Sequence, residues 1–521
     1  MPKYFIDPIH SELGIQRDGT RYDSKNYIDG QWCRFYEGDP RKIGGYEVVD
    51  NGTTEIVRNL FTVPRPNRID LYIGRASTLS FLTINLDGIA GVEIDRTPTS
   101  GFIPHNNNTW SFDLFTESTA GVTSSVIVAG INHSVNDISS TFEGPIFTGE
   151  IGAITPLVQI LDTNSDPVVC SGGIIYIAPL LVAYGNDGLM RWSNESSIGT
   201  WRPLNDADPP YLIVANTKIV HAERTRGGDT PILLLWSLNS LVRATYVPST
   251  TTPAAPPTFT YSVIEDTISI ISAGSVVKYN QMFFWIGTDQ FYFYNGIVQK
   301  LPNIMNNDWF FDNVNLASRS KIWGMAVPRF KEIWWFYPRG DATECNAVII
   351  YNIESQSWYD TLLNRSAGVQ TSIFPYPIMA DNNTIRSIVD NEFVDTYPIW
   401  IHEKGYDRVQ NNNIYAIDSY FETHRFDLWS GDGSTTNFIR NRRIAPDFVQ
   451  IGDMTATING QTYPKSPVVS EGPYTFTPTT EKIDFATQAG IVSFKFRSNE
   501  AGGFYQGGKM LYFYDIGDTF K

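Results

Sequence analysis

Cysteine is scarce. Cys33, Cys170 and Cys345 are three thiols in 521 residues, too few and too far apart for a disulfide framework or a zinc-binding spacing. Such usage is expected of a chain made in a reducing cytoplasm. Histidine is scarce as well: His10, His105, His133, His221, His402 and His424 include no two at metal-binding spacing. No Gly-x-Ser-x-Gly elbow and no phosphate-binding P-loop occur. Charged residues make up 18 % of the chain, fewer than the usual quarter, and a net charge of −16 argues against a generic DNA- or membrane-binding surface. The most apolar run, Gly173–Tyr184, is too short to span a bilayer and contains Pro179. The opening Met-Pro-Lys-Tyr-Phe does not read as a signal peptide. Long amphipathic helices are missing too: Met325–Phe330 is interrupted by Pro328, and Ile151–Leu161 by Pro156.

Aromatics (14 %), 41 glycines and 30 prolines take the place of helix formers, the mark of a β-rich chain with many turns. The clearest stretch is Asn280–Asp360. Met282–Ile286 and Phe291–Tyr294 read as strands, and Asn295-Gly296 reads as a hairpin turn because both residues tolerate positive φ. Glu332–Tyr337, Ala347–Tyr351 and Trp358-Tyr359 continue the pattern. Similar units centre on Ile73, Val128, Val182, Trp236, Trp285, Trp335 and Trp400, about 50 residues apart over most of the run, a period that points to a β-propeller of six or seven blades. A set of unrelated β-sandwiches is the plainer alternative.

The expected organisation is all-β, with three parts. Residues 1–55 form an N-terminal β segment contributing to a platform. Residues 56–410 form the propeller, with an insertion or long loops around 85–125. Residues 411–521 form an antiparallel β domain, of sandwich or platform type, whose alternating runs are separated by Gly460, Gly472-Pro473 and Gly502-Gly503. Thr250–Thr258 is a low-complexity tract that lacks apolar residues to bury and reads as a projecting loop.

Chemistry is sparse. Gly199-Thr200-Trp201 ends like a sialidase turn, but the central Asp of that motif is missing and it occurs once. Asp432-Gly433 lacks the acidic spacing and final Glu of a calcium loop. Arg339-Gly340-Asp341 spells an adhesion tripeptide of a kind usually met by chance. Arg440, Arg442 and Arg443 form one basic cluster, read as a solvated loop or subunit interface. No catalytic, cofactor-binding or metal-binding residue is assigned, and the chain is not expected to be an enzyme.

Three stretches taken together resemble the tail-hub or nozzle proteins of short-tailed bacteriophages. The first is Asp29-Gly30-Gln31-Trp32 with Arg34-Phe35 and Gly38-Asp39-Pro40-Arg41-Lys42-Ile43-Gly44-Gly45. The second is Arg191-Trp192-Ser193 with Trp201 and Leu235-Trp236-Ser237. The third runs from Phe284-Trp285 through Leu301-Pro302 and Trp334-Trp335 to Trp358. Cys33 stands where an aliphatic residue is expected, and residues 85–170 match poorly. The resemblance implies a virion protein made in the bacterial cytoplasm. It would form a ring, typically of six copies, below the portal-adaptor ring, retain the genome, pass DNA through its lumen without reading its sequence, and carry fibres or spikes. On that basis Asp29, Gly30, Trp32, Arg34, Phe35, Gly38, Lys42, Gly44, Gly45, Arg440, Arg442 and Arg443 are expected at the platform, facing partners. Thr250, Thr251, Thr252, Pro253, Pro256 and Pro257 are candidates for a channel loop. DNA carries one negative charge per ~1.7 Å, so an acidic wall would not trap it; that repulsion reaches only about 8 Å at physiological salt. A receptor-binding propeller, or a sialidase-like depolymerase, is the alternative.

Overall fold

The computed structural model describes residues 5–119, 122–133, 137–195, 197–205, 210–227, 230–248, 258–389, 392–428 and 437–519. It is all-β, built from small antiparallel sheets, with one seven-residue α-helix, Asn307–Asn313, among the described residues.

Seven sheets follow one another along the chain. The first six are meanders in which each strand pairs with the next, except that Val169–Cys170 of the second pairs back with Gly144–Glu150. They begin at Val57–Arg65, Thr109–Thr119, Gly173–Ile177, Ile219–Gly227, Val277–Tyr279 and Trp323–Val327. The seven positions that mark the sequence repeat fall one per sheet. Ile73, Val128, Val182, Trp236, Trp285 and Trp335 each lie on the second strand of theirs, and Trp400 on the long strand Glu392–His402 of the seventh. These strands are largely buried along their length, as expected of strands covered on both faces. Trp236, Trp285, Trp335 and Trp400 are all essentially inaccessible.

The packing is sequential and returns to its start. First strands of successive sheets lie side by side, the fourth reaching the fifth through Ala273–Ser275, and Ala367–Val369 of the seventh lies against Val57–Arg65 of the first. The apolar clusters follow the same order. Phe81 and Trp110 join the first and second sheets, Phe115 and Leu181 the second and third, Val182 and Leu233 the third and fourth, Trp236 and Trp285 the fourth and fifth, and Phe291 and Trp335 the fifth and sixth. Ile73 and Ile399 join the first and seventh.

The seventh sheet is assembled from distant segments. Ala367–Val369, Ile378–Ala380 and Glu392–His402 are joined by Tyr46–Thr53, which pairs with the last of these. Arg408–Gln410 then runs parallel to Tyr46–Thr53 and pairs with Asn413–Tyr415. The expected boundaries at 55 and 410 therefore shift: residues 46–53 and 408–415 belong to the seven-sheet body. Tyr46–Thr53 has no nearby partner in sequence, so period reading cannot place it.

Residues 85–125, expected as an insertion or long loops, are built differently. Only about the first half is loop-like; Thr109–Thr119 and Val122–Asn132 pair along their length as an eleven-residue hairpin. Trp110, Phe112 and Leu114 alternate with Ser111 and Asp113, polar residues that face the central cavity and mask the strand signal.

Both ends of the chain build one further unit. Phe5–Ile9 pairs with Met510–Thr519, Asp29–Gln31 with Ser419–Glu422, and Asp39–Lys42 with Phe504–Gly507. The expected N-terminal segment and C-terminal domain are thus interleaved. Their core, around Phe421, Phe494, Phe496 and Tyr505, is continuous with Trp334, Phe336 and Tyr359 of the sixth sheet.

Candidate functional site

The joint between body and terminal unit is where the N-terminal motif folds. Cys33–Tyr36 and Asp39–Lys42 form a hairpin turning at Glu37-Gly38. Trp32 breaks the extended run with φ +53, which points its indole inward. Its Nε1 donates to the Ile43 carbonyl at 2.9 Å, and its backbone N–H donates to Thr361 Oγ1 of the sixth sheet at 2.9 Å. Phe35 packs on Tyr27 and Tyr359.

Arg34 is the centre of this joint. Its side chain is 1 % exposed and touches two carboxylates of the body. Nη1 and Nη2 donate to Glu403 at 2.9 and 2.6 Å, Nη2 donates to Glu332 Oε2 at 3.1 Å, and Nε lies 2.9 Å from Glu332 Oε1. The guanidinium also lies over the Phe330 ring, 3.5 Å from its centroid. Glu332 accepts further bonds from Tyr359 Oη and Trp334 Nε1. Burial pushes its carboxyl above the ordinary value, against the opposing pull of Arg34. Burial also opposes the charge on Arg34, but Glu332 and Glu403 outweigh that and hold it protonated.

The paired glycines have a packing reason. A Cβ on Gly44 would sit 2.8 Å from the Glu403 Cα, and one on Gly45 would meet the Asp407 backbone at 2.3–2.4 Å. Lys42, equally buried, donates to the Gly503 carbonyl at 2.7 Å. Burial lowers its pKa to about 8, with Asp407 and Asp418 pulling the other way.

Asp29 makes a second link. It accepts from Arg17 Nη1 at 2.7 Å, while Arg17 Nε donates to Asp360 at 2.9 Å. Gly30 pairs with Phe421, and a side chain there would strike Ile15. Thus Trp32, Arg34, Phe35, Lys42, Gly44 and Gly45, expected to face partners, are directed into the chain's own joint. Sequence reading missed Arg17, Asp360 and Glu403. Glu332 left a trace, as one carboxylate heading the apolar run Ile333–Tyr337.

Arg440, Arg442 and Arg443 lie apart from this joint, on the strand Asn437–Ala445, and are partly exposed. They face acids of the same unit: Asp515 at 2.7 Å from Arg442, Asp484 at 2.7 Å from Arg443, and Asp518 at 3.8 Å from Arg440. Apolar side chains remain open at the unit's edges. Phe5 and Ile6 are exposed on one edge strand, and Val469 on another, Val469–Phe476. Thr250, Thr251, Thr252, Pro253, Pro256 and Pro257 lie outside the described residues, as does Asp432-Gly433.

A cavity of about 420 Å³ lies between the first strands of six of the seven sheets, with the fifth contributing Ala273, Gly274 and Val276 just before its first strand. Ion pairs cross it. Arg58 of the first sheet bonds Glu344 through both nitrogens at 2.9 and 3.0 Å, and Lys321 reaches the same carboxylate at 2.7 Å. Arg224 of the fourth sheet reaches Asp113 of the second at 3.2 Å, past Tyr176 of the third, whose N–H also donates to Asp113. Lys278 donates to the Arg224 carbonyl and lies 3.7 Å from Glu223. This arrangement ties sheets together.

No family model matches this chain, and no curated protein matches it. A solved structure described as the AfRom2 CNH domain is similar over 61 % of this chain and 95 % of its own, at 13 % identity and a TM-score of 0.28, too low a likeness to bear on fold or function.

Proposed function

We propose that this chain is a structural protein of a short-tailed phage virion, a tail nozzle or hub. In this reading the seven sheets are the blades of a β-propeller, and the interleaved termini form a platform. Copies assemble into a ring, six in number by the resemblance, below the portal-adaptor ring. The ring retains the packaged genome, forms the ejection channel and offers its outside to fibres or spikes.

The observation that carries the reading is the construction of the terminal unit. Both chain ends are woven into one unit, clasped to the body through Arg34, and its edge strands leave Phe5, Ile6 and Val469 uncovered. Exposed edges of this kind invite pairing with another chain, and a ring supplies one. In this reading the DNA lumen lies between copies, because ion pairs span the central cavity of each one. The test is particle phenotype in a nonsense mutant of this gene, scored by density gradient and electron microscopy. Heads that fill, then leak DNA and lack the distal tail, support the nozzle. Full, stable particles that fail only to adsorb overturn it in favour of a receptor-binding protein.

A further inference from the structure

A second, polar cavity of about 330 Å³ opens at the joint, between the helix Asn307–Asn313, the sixth sheet and the terminal unit. Arg17, Arg21 and Arg339 are among the residues that line it, with Asp29 and Asp360. Both carboxylates are committed to Arg17. Burial opposes the charge on Arg17, but Asp360 and Asp29 together overcome it. Arg339 is different. Its guanidinium carbon lies 4.7 Å from the Trp309 ring centroid, and among the described residues the guanidinium has no carboxylate partner.

Arg339 is nonetheless held in place. Its backbone N–H donates to Asn346 Oδ1 at 2.7 Å, it bridges to Val314, and the following Gly340 N–H donates to the Asn313 carbonyl at 2.8 Å. Trp309 is fixed in turn, because Asp18 accepts the backbone N–H of Asp308 and Trp309 at 3.0 and 2.7 Å. A planar cation, immobilised by backbone and ring and facing a polar cavity, is prepared for bidentate bonding to an oxyanion. Little rotamer entropy remains to be lost when it binds. This placement also removes the Arg339-Gly340-Asp341 triplet as a displayed adhesion loop, since its arginine is packed on Trp309.

We infer that this cavity is a docking site for the carboxylate of an aspartate or glutamate side chain presented by a partner polypeptide. Charge selects the ligand: with Asp29 and Asp360 committed to Arg17, Arg339 offers a single positive charge, which suits a monoanionic carboxylate better than a dianionic phosphate. Size agrees, because a cavity equal to about ten water volumes takes one acidic side chain with its flanking backbone. The Trp309 ring is already engaged by Arg339 and, at 5.8 Å, by Arg17, which leaves a sugar acid no stacking platform. The inference does not depend on the nozzle reading.

The test uses the full chain labelled with 15N at its indole groups, the Trp309 signal being identified by its loss in Trp309→Phe. The peptide Ac-Gly-Glu-Gly-NH2 is titrated in the millimolar range, in parallel with Ac-Gly-Gln-Gly-NH2, inorganic phosphate and glucuronate. Saturable displacement of the Trp309 signal by the Glu peptide, at least tenfold weaker with the other three, is expected. Arg339→Gln, with its remaining indole signals unmoved, should abolish the response, and Arg339→Lys should weaken it about tenfold by removing the bidentate geometry. Equal response to the Gln peptide, equal or stronger response to phosphate or glucuronate, no response to any probe, or an unchanged response in Arg339→Gln overturns the inference.

Discussion

Replacing Arg34 by Met tests the account of the joint most directly. The substitution preserves much of the side-chain volume but leaves Glu332 and Glu403 without their shared cation. Glu332 is fully buried and keeps only the bonds from Tyr359 and Trp334; Glu403 keeps a 3.3 Å bond from the Gly44 N–H. Breaking a buried pair by removing one partner costs about 3–5 kcal/mol, because a charge is stranded in low dielectric. The two carboxylates share what remains, so about 4 kcal/mol is expected for opening the joint at neutral pH. In a chain of this size a single global unfolding free energy is ill defined. Local opening, read by amide hydrogen exchange in segments 28–45, 330–337 and 400–407, is the suitable measure. Burial holds the Glu332 carboxyl above its ordinary value, so the deficit should shrink towards about 1–2 kcal/mol, the lost packing, as pH falls and Glu332 takes up a proton. Adding Glu332→Gln and Glu403→Gln should recover most of it at pH 7.5, since an uncharged set strands nothing. A deficit under about 1 kcal/mol at pH 7.5, or no recovery in the triple variant, would refute the assignment of Arg34 as the clasp.

Lys42 makes a pH prediction. Its ammonium is depressed to about 8 in the fold against 10.5 when unfolded, so between these values the unfolded chain binds more protons and the fold gains stability as pH rises. Wild type should therefore gain up to about 3 kcal/mol on Lys42→Met between pH 7 and 10.5, seen as a widening difference in urea resistance of the joint; a constant difference counts against the buried ammonium. In the central cavity, Arg58 and Lys321 hold the Glu344 carboxyl below its ordinary range despite the opposing effect of burial. Its contribution is present above the unfolded pKa and lost as pH falls through the folded one, so Glu344→Gln should lower thermal stability at pH 7 and converge with wild type only well below pH 4.5. Gly45→Ala should cost about 3 kcal/mol or prevent folding, because its Cβ would overlap the Asp407 backbone; wild-type yield and melting would show that the contact gives way. The three cysteines are buried and unpaired, and burial raises their thiols, Cys33 and Cys170 to about 12. An aromatic disulfide reagent should label none of them in the native chain and all three in guanidinium; rapid native labelling would contradict the packing.

The sequence alone determined most of the body's strands and the centre of each of its sheets. Seven apolar centres fell one to a sheet because a strand buried on both faces must be apolar along its length, and that is written locally. Asn295-Gly296 marked its turn for the same reason, local backbone preference. Tertiary structure decided what depends on partners far apart in the chain. Tyr46–Thr53 entered the seventh sheet, and Phe5–Ile9 met Met510–Thr519, through pairings no local pattern announces. Arg34 read as one residue of a motif; its role came from Glu332 and Glu403, about 300 and 370 positions away, brought within hydrogen-bond reach by the fold. Arg339 read as part of an accidental triplet until Trp309 and the terminal unit enclosed it. Apolar burial is additive along the chain and so is legible in one dimension. Charge pairing in a low-dielectric interior acts over a few ångströms in space, and only the folded chain sets those distances.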